Sequence, residues 1–400
     1  MNKKEYRIAN VLIIAIMIFF AILAISLSSN LSLKDLIAQT FNGLLGKSSP
    51  DDTAIASRCS NKPALNISSP DLYLRKLQQY QNTCQSFVTD RLMIFTLFPQ
   101  DSASAATLAD NVAGTLLAFQ QSGVNPLIIA EPYIHDGPMS YRRYMNGEYD
   151  QYVREFFENL QQKGITSDSI GTWVPFPESN TPSWDNKDTE PKDFSTVVNK
   201  YLRTLRAIFP TAKGSILLNA TTYEPTDLEY ADGNYLSLVS YVQDIDKRLV
   251  SSVGIQGFPW VSRANQNRRE IFRASEFLQP DYAIEAAREL RTRDIWFNTG
   301  SFAAKYTNAP EQLASINAND RKAILEGILQ EAQKIRQLQQ NEYRVSINLF
   351  AEDKSGSTEA TDWSYLNDPS TQKILKEFLS AANQADIPVW IYDKDKSAAR

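Results

Sequence analysis

The chain has 400 residues, of which 43% are hydrophobic and 22% charged, and its net charge is −5 at pH 7. This composition is typical of a globular protein and excludes a disordered chain. No block of Lys or Arg is present, which argues against nucleic acid as a partner, because phosphate binding needs a concentrated basic surface. His135 is the only histidine, so a metal site with two imidazoles is excluded and chemistry would rest on carboxylates.

The N-terminal segment predicts a membrane anchor. Residues 8–27 are uncharged and apolar, and a helix of that length spans the roughly 30 Å of the hydrocarbon core. Basic residues precede the segment, which predicts a cytoplasmic N-terminus and an extracytoplasmic remainder. The alternative is a cleaved signal peptide, but no small-x-small cleavage site follows. We therefore predict that residues 1–28 form a cytoplasmic stub and a transmembrane signal anchor of a single-pass cell-membrane protein.

The rest of the chain divides into two parts. Residues 29–56 are predicted to be a tether, with an amphipathic helix over 31–46 that lies on the membrane surface. Residues 57–400 are predicted to form one extracytoplasmic domain. In that oxidising compartment Cys59 and Cys84 are candidates for a disulfide, and the alternative is two free buried thiols.

Eight short runs rich in β-branched and aromatic residues predict eight strands, at 92–98, 126–132, 170–176, 215–221, 253–258, 294–300, 344–350 and 388–393. Polar and apolar residues do not alternate strictly within them, which is typical of parallel strands covered on both faces. Amphipathic helical stretches lie between the runs. This order predicts an α/β fold, a (β/α)₈ TIM barrel, preceded by an extra helix at 71–83.

An open doubly wound sheet is the alternative fold. No Gly-rich phosphate loop follows any of the strands, so no cofactor and no nucleotide partner is predicted.

Acidic and aromatic residues gather at the carboxyl ends of the predicted strands, where the chemistry of such a barrel belongs. The predicted catalytic carboxylates are Glu178, Glu131, Glu352 and Asp353. The predicted substrate contacts are Tyr133, Trp173, Asn180, Trp184, Tyr223, Trp260, Trp296, Asn298 and Trp363. Aromatic faces stack on sugars, and two carboxyl groups suffice to hydrolyse a glycoside. For the tryptophans in or directly after strands, a place in the core is the alternative.

Glu178 is the first choice for the general acid, because prolines and aromatic residues around it predict a defined and partly dry position.

Three stretches resemble glycoside hydrolase family 26, which includes many β-mannanases: GTWVPFPESNTPSW (171–184), YLRTLRAIFPTAKGSILLNA (201–220) and SYVQDIDKRLVSSVGIQGFPW (240–260). The resemblance implies a retaining barrel glycosidase in which Glu178 is the acid/base and Trp260 faces the substrate.

Two positions depart from that family. Pro177 precedes Glu178 where the family has histidine, and the strand at 294–300 carries Asn298-Thr299-Gly300 where the family has the nucleophile in Glu-x-Gly. We therefore predict a membrane-anchored, extracytoplasmic glycoside hydrolase-like protein that acts on a β-linked polysaccharide. One alternative is an inactive barrel that binds cell-surface or wall glycan, and another is a surface scaffold without a sugar site.

Overall fold

The structure is a computed structural model of the chain. It describes residues 72–84, 91–135, 137–178, 191–219, 238–259, 274, 278, 280–301, 305–306, 318–338, 342–355 and 361–392. The chain divides into two units, Met1–Lys62 and Pro63–Arg400, and all described residues belong to the second. The predicted anchor at 8–27, the tether and Cys59 lie outside the described residues. No helix in the described part of the chain is long and apolar enough to cross a membrane.

Eight parallel strands form the central sheet. They are β1 (Arg91–Thr96), β2 (Asn125–Ala130), β3 (Thr172–Pro175), β4 (Lys213–Asn219), β5 (Val250–Gln256), β6 (Asp294–Thr299), β7 (Arg344–Phe350) and β8 (Val389–Tyr392). Each strand pairs with the next one along the chain. All eight strands predicted from the sequence are thereby confirmed, and so is their parallel order.

The sheet curls until its first and last strands meet. Hydrogen-bonded pairing in the described residues runs from β1 to β8 without joining the two ends, but side chains bridge them. The Arg91 guanidinium lies 4.3 Å from the centre of the Trp390 ring, and the rings of Phe95 and Tyr392 lie 5.2 Å apart. The sheet is thus a near-closed, eight-stranded, TIM-like α/β barrel, as predicted.

Helices cover the outside of the barrel. They are α1 (Leu72–Cys84), α2 (Ser102–Gln121), α3 (Tyr141–Met145), α4 (Asp150–Gln162), α5 (Pro191–Ile208), α6 (Leu238–Val242), α7 (Pro280–Leu290), α8 (Ala318–Leu338) and α9 (Pro369–Gln384). α1 is the predicted extra helix, and it ends at Cys84. The start of α2 is fixed by a capping box. Asp101 and Ser104 accept hydrogen bonds from each other's backbone N–H groups, which are left free at the first turn of a helix.

Short strands lie in the loops at the carboxyl ends of the barrel strands. Tyr133–Ile134 pairs with Gly137–Pro138 after β2. Thr361–Asp362 pairs with both Lys305–Tyr306 and Asp353–Lys354, joining the loops that follow β6 and β7. These pairings brace the end of the barrel where the sequence analysis places the chemistry.

Alternation along the strands divides the core into two layers. One layer lies between the sheet and the helices. The other fills the barrel and consists of Met93, Leu127, Ile129, Val174, Leu217, Trp296, Trp390 and Tyr392. Trp296 is the largest member, and its indole Nε1 donates to Ser215 Oγ at 2.9 Å. Gly254 on β5 leaves the space that this indole occupies.

Candidate active site

The turn after β3 holds Glu178 in an unusual backbone conformation. Phe176 has φ 54° and Glu178 has φ 59°, a region that costs a non-glycine residue about 1–2 kcal/mol. Neighbouring strands hold this turn, because Phe176 N donates to Ala130 O at 2.9 Å and Glu178 N donates to Leu217 O at 2.9 Å. The backbone of Glu178 is therefore tied to β4 beside it, and strain of this kind concentrates at functional sites.

Three amide side chains join Glu178 to the interior of the barrel. Gln256 Nε2 donates to Glu178 Oε1. Asn298 Nδ2 donates to Gln256 Oε1 at 2.5 Å, and Asn348 Nδ2 donates to Asn298 Oδ1 at 2.5 Å. Gln256, Asn298 and Asn348, which we call the amide chain, come from β5, β6 and β7. The amide chain thus crosses the carboxyl half of the barrel and ends at the Glu178 side chain after β3.

The amide chain changes the interpretation of Asn298. This residue was predicted to contact substrate, but it is 7% exposed and both ends of its amide are engaged within the barrel. Its amide is joined to Glu178 through Gln256, and the contact with substrate stays a prediction.

Sequence reasoning missed Gln256 and Asn348 altogether. The available signal was a lone amide among apolar residues in VGIQGF, and an amide in the polar–apolar alternation of RVSINLF.

The other predicted carboxylates lie at the same end of the barrel. Glu131 directly follows β2, is half-buried, and its backbone N–H donates to Thr96 O at 2.9 Å. Glu352 lies two residues beyond β7, is half-buried, and its carbonyl accepts from Trp363 N at 3.0 Å. Asp353 has a different local role, because its Oδ1 accepts from Ser355 N at 2.8 Å and so stabilises its own turn.

The structure buries the tryptophans it describes. Trp173 is 0% exposed, packs against Phe156 and Phe157 on the outer side of the sheet, and donates to Ile170 O at 3.0 Å. Trp296 lies inside the barrel. Both predictions of a substrate contact are corrected, since neither ring has an open face.

Trp363 is also buried, at 4% exposed, with ring centres 6.3 Å from Phe258 and 5.8 Å from Phe350. The expectation that it would be a sugar platform is corrected in the same way. Tyr133 is half-buried in its short strand, and its carbonyl accepts from Phe98 N at 2.7 Å. The remaining predicted contacts, Asn180, Trp184, Tyr223 and Trp260, lie outside the described residues.

A buried arginine fixes the loops beside the site. Arg321 on α8 is 2% exposed and donates to Ser301 Oγ at 2.9 Å, to Trp363 O at 3.1 Å and to Ser364 O at 3.3 Å. Its guanidinium lies 4.1 Å from the centre of the Tyr365 ring. These contacts tie the segment after β6 to the segment after β7. The described residues contain no group of three or more His, Cys, Asp or Glu side chains that could hold a metal ion.

Comparison with known proteins identifies the fold. No known protein family matches the sequence, and no curated protein matches it. The solved structure of the endo-1,4-β-mannanase from Rhizomucor miehei is similar, with a TM-score of 0.51 and 10% identity over 81% of this chain and 93% of that one. This likeness supports the barrel fold.

Two other solved structures are similar at lower TM-scores. The endo-β-1,4-mannanase from Thermotoga petrophila has a TM-score of 0.45 and 11% identity over 77% of this chain and 72% of that one. The GH26 β-mannanase from Bacteroides ovatus has a TM-score of 0.47 and 7% identity over 77% and 83%. The structural neighbours are glycoside hydrolase barrels, and they do not single out family 26.

Proposed function

We propose that this protein is a glycoside hydrolase that acts on a β-linked polysaccharide with two carboxylates, one of which is Glu178. The observation that carries the proposal is the position of Glu178. A strained turn and a chain of three amides hold its side chain at the carboxyl end of a TIM-like barrel. This is the end at which enzymes of this fold place their chemistry.

Glu352 is the proposed second carboxylate. Hydrolysis requires two carboxyl groups that flank the glycosidic bond, about 5–5.5 Å apart in retaining enzymes and about 6.5–9.5 Å apart in inverting ones. β7, which precedes Glu352, is four strands from β3 in a barrel of eight, so the two residues approach the opening from opposite sides. Glu131 follows β2, directly beside β3, and would lie on the same side of a bound sugar as Glu178.

Release of reducing sugar tests the proposal. The full chain is assayed on β-mannan and on a β-1,4-glucan as wild type, Glu178→Gln and Glu352→Gln. We expect each variant to lose about 10²–10⁴-fold in rate, which is the usual contribution of a positioned acid or base. Glu377→Gln is the matched control, since that carboxylate pairs with Lys322 on the outer helices and its loss should leave the rate within a few-fold. A wild type without turnover, or variants as fast as wild type, would contradict the proposal.

A specific observation favours a second function, glycan binding without hydrolysis. The carboxyl end of β6 carries Asn298 and Thr299 where the resembled family has its nucleophile, and the Asn298 amide is engaged inside the barrel. Glycan-array binding by the full chain that persists in Glu178→Gln, with no sugar released by either protein, would support binding alone. Absence of both binding and turnover would leave a surface scaffold without a sugar site.

We also propose that residues 8–27 anchor the barrel in the cell membrane, with the remainder outside the cytoplasm. The support is the length and apolarity of this segment and the basic residues before it. The full chain should stay with membranes after alkaline extraction and lose its C-terminal domain to external protease in spheroplasts. A disulfide between Cys59 and Cys84 is proposed with it, and thiol labelling of the denatured protein should then rise only after reduction.

A further inference from the structure

The amide chain has a defined direction. Each amide donates its N–H toward Glu178, and Gln256 and Asn298 each accept from the amide behind them. At the far end Asn348 Nδ2 also lies 3.9 Å from the Met93 thioether sulfur, which only accepts hydrogen bonds. Asn348 Oδ1 is buried without a hydrogen-bond partner.

Reversing the direction of the hydrogen bonds in the amide chain would be unfavourable. It would turn the Asn348 carbonyl oxygen toward the Met93 sulfur and leave a buried N–H of Asn348 without an acceptor. Unsatisfied buried N–H groups are rarer than unsatisfied carbonyl oxygens. The barrel interior therefore fixes the direction of the amide chain, so that the group it places against Glu178 is an N–H donor.

A fixed donor favours one protonation state of Glu178. A hydrogen bond donated to a carboxylate is stronger than one donated to the neutral acid, and the two amides behind Gln256 polarise it further. A protonated Glu178 gains less from this donor. Glu178 could donate its own proton to Gln256 only if all three amide groups rotated by about 180° and exchanged their N–H and carbonyl positions.

We propose that Gln256, Asn298 and Asn348 are positioning residues that hold Glu178 as an ionised carboxylate. This assignment rests on the proposed function for the reaction, and it reverses the acid role that the sequence suggested for Glu178. Glu178 then enters the reaction as an ionised carboxylate and takes a proton from the water whose oxygen forms the new bond to the anomeric carbon. Glu352 gives its proton to the leaving glycosidic oxygen as the old bond breaks. Gln256, Asn298 and Asn348 do not touch the sugar.

The charged and titratable residues described at this end of the barrel include Glu131 and His135 after β2, Glu352, Asp353, Lys354 and Asp362 after β7, and Arg321, which contacts those loops. None of them belongs to the amide chain. A change in the titration of Glu178 that follows a substitution in the amide chain therefore reports on that chain.

The titration of Glu178 is measured on the full chain, without substrate, from the NMR signals of glutamate labelled with ¹³C at Cδ. Glu178→Gln identifies the signal by removing it. Gln256→Leu and Asn298→Leu should each raise the pKa of Glu178, by about 1 for Gln256→Leu, because a hydrogen bond to a charged group is lost. Thr299→Val is the matched control. Its hydroxyl is buried on β6 and has no partner, so the pKa of Glu178 should not change.

A second measurement needs no substitution in the amide chain. In the wild type, the side-chain N–H signals of Gln256 and Asn298 should move with the same midpoint as the Glu178 carboxyl, and Glu178→Gln should abolish that movement. Amide signals that do not follow Glu178, or a pKa of Glu178 that is unchanged or lowered in both leucine variants, would overturn the inference.

These results separate the inference from the proposed function. Linked titration in a protein without turnover would overturn hydrolysis and support the role of the amide chain. Turnover in a protein whose Glu178 titrates independently of the amides would overturn the amide chain's role alone.

Discussion

Gly254 shows how a single residue shapes the interior of the barrel. It lies on β5 directly beneath the Trp296 indole, and a Cβ at this position would lie closer to the Trp296 ring than real Cβ atoms come to any neighbour. The indole cannot move aside easily, because it is buried and donates to Ser215 Oγ. The small residue on one strand and the large residue on the next therefore form a matched pair, and the amide chain lies two residues further along both strands.

We expect Gly254→Ala to lower the free energy of unfolding by about 2–3 kcal/mol, since a close-packed core resists an added methyl group. Urea denaturation measures the change. Gly114→Ala is the control, because Gly114 lies in α2 with open space around it, and alanine there should raise stability by about 0.5–1 kcal/mol. Equal effects of the two substitutions would show that Trp296 does not fill the space above Gly254.

Arg321 is the second residue on which the carboxyl end of the barrel depends. Its side chain donates to two backbone carbonyls and one hydroxyl that are buried with it. Arg321→Met keeps the volume and removes these donors, so we expect a loss of about 2 kcal/mol in the free energy of unfolding. Lys322→Met on the same helix removes only exposed ion pairs with Glu326 and Glu377 and should change stability by less than about 0.5 kcal/mol. Similar losses in both variants, measured by denaturation, would argue against a bracing role for Arg321.

At the scale of elements, Asp246 joins α5 to the segment before β5. Asp246 Oδ1 and Oδ2 accept from Arg248 at 3.0 and 2.8 Å, and Asp246 N donates to Asn199 Oδ1 on α5 at 2.7 Å. The hydrogen bonds from Arg248 hold the pKa of Asp246 well below its usual value of 3.8. A lowered pKa means that the carboxylate stabilises the fold above the unfolded value, and that this contribution is lost as the pH falls.

We therefore expect Asp246→Asn to lower the free energy of unfolding by up to about 1 kcal/mol at pH 7, which is the range of an ion pair whose arginine lies at the surface. The difference from wild type should shrink as the pH falls from about 5 through the lowered pKa. Denaturation at several pH values measures it. Asp244→Asn, at an exposed position two residues earlier, is the control and should change the free energy of unfolding by less than about 0.5 kcal/mol at pH 7. A difference that persists unchanged at acid pH would contradict the ion-pair explanation.

The elements themselves were predictable, and the contents of the barrel were not. Runs such as LMIFTLF and PLIIA mark parallel strands, because burial on both faces favours apolar residues nearly throughout. Burial on both faces also conceals which alternate residues of a strand point into the barrel, since neither face carries polar residues that would identify it. Trp173 and Trp296 both lie in apolar strand runs, yet Trp173 packs under the helices and Trp296 fills the barrel. Asn348 looked like an isolated polar residue because its partners come from β5 and β6, far away in the chain.

The whole molecule depends on how the barrel closes. Strands β2 to β7 have a hydrogen-bonded neighbour on both sides, whereas β1 and β8 meet through side chains in the described residues. Phe95 and Tyr392 approach each other near the carboxyl ends of these strands, and Phe350 stacks on Tyr392 with ring centres 5.4 Å apart. These contacts hold β8 against both β1 and β7 at the carboxyl end of the barrel, the end that carries the two proposed carboxylates.

A double-mutant cycle on Phe95→Leu and Tyr392→Leu measures this closure. We expect a coupling energy of about 0.5–1.5 kcal/mol in the free energy of unfolding, as is usual for an aromatic pair. The control cycle combines Phe95→Leu with Phe194→Leu, since Phe194 packs against Tyr241 outside the barrel and its coupling should be close to zero. If the barrel is joined only by hydrogen bonds between strands, the first cycle would also give zero. Significant coupling would show instead that the side chains hold β1 against β8.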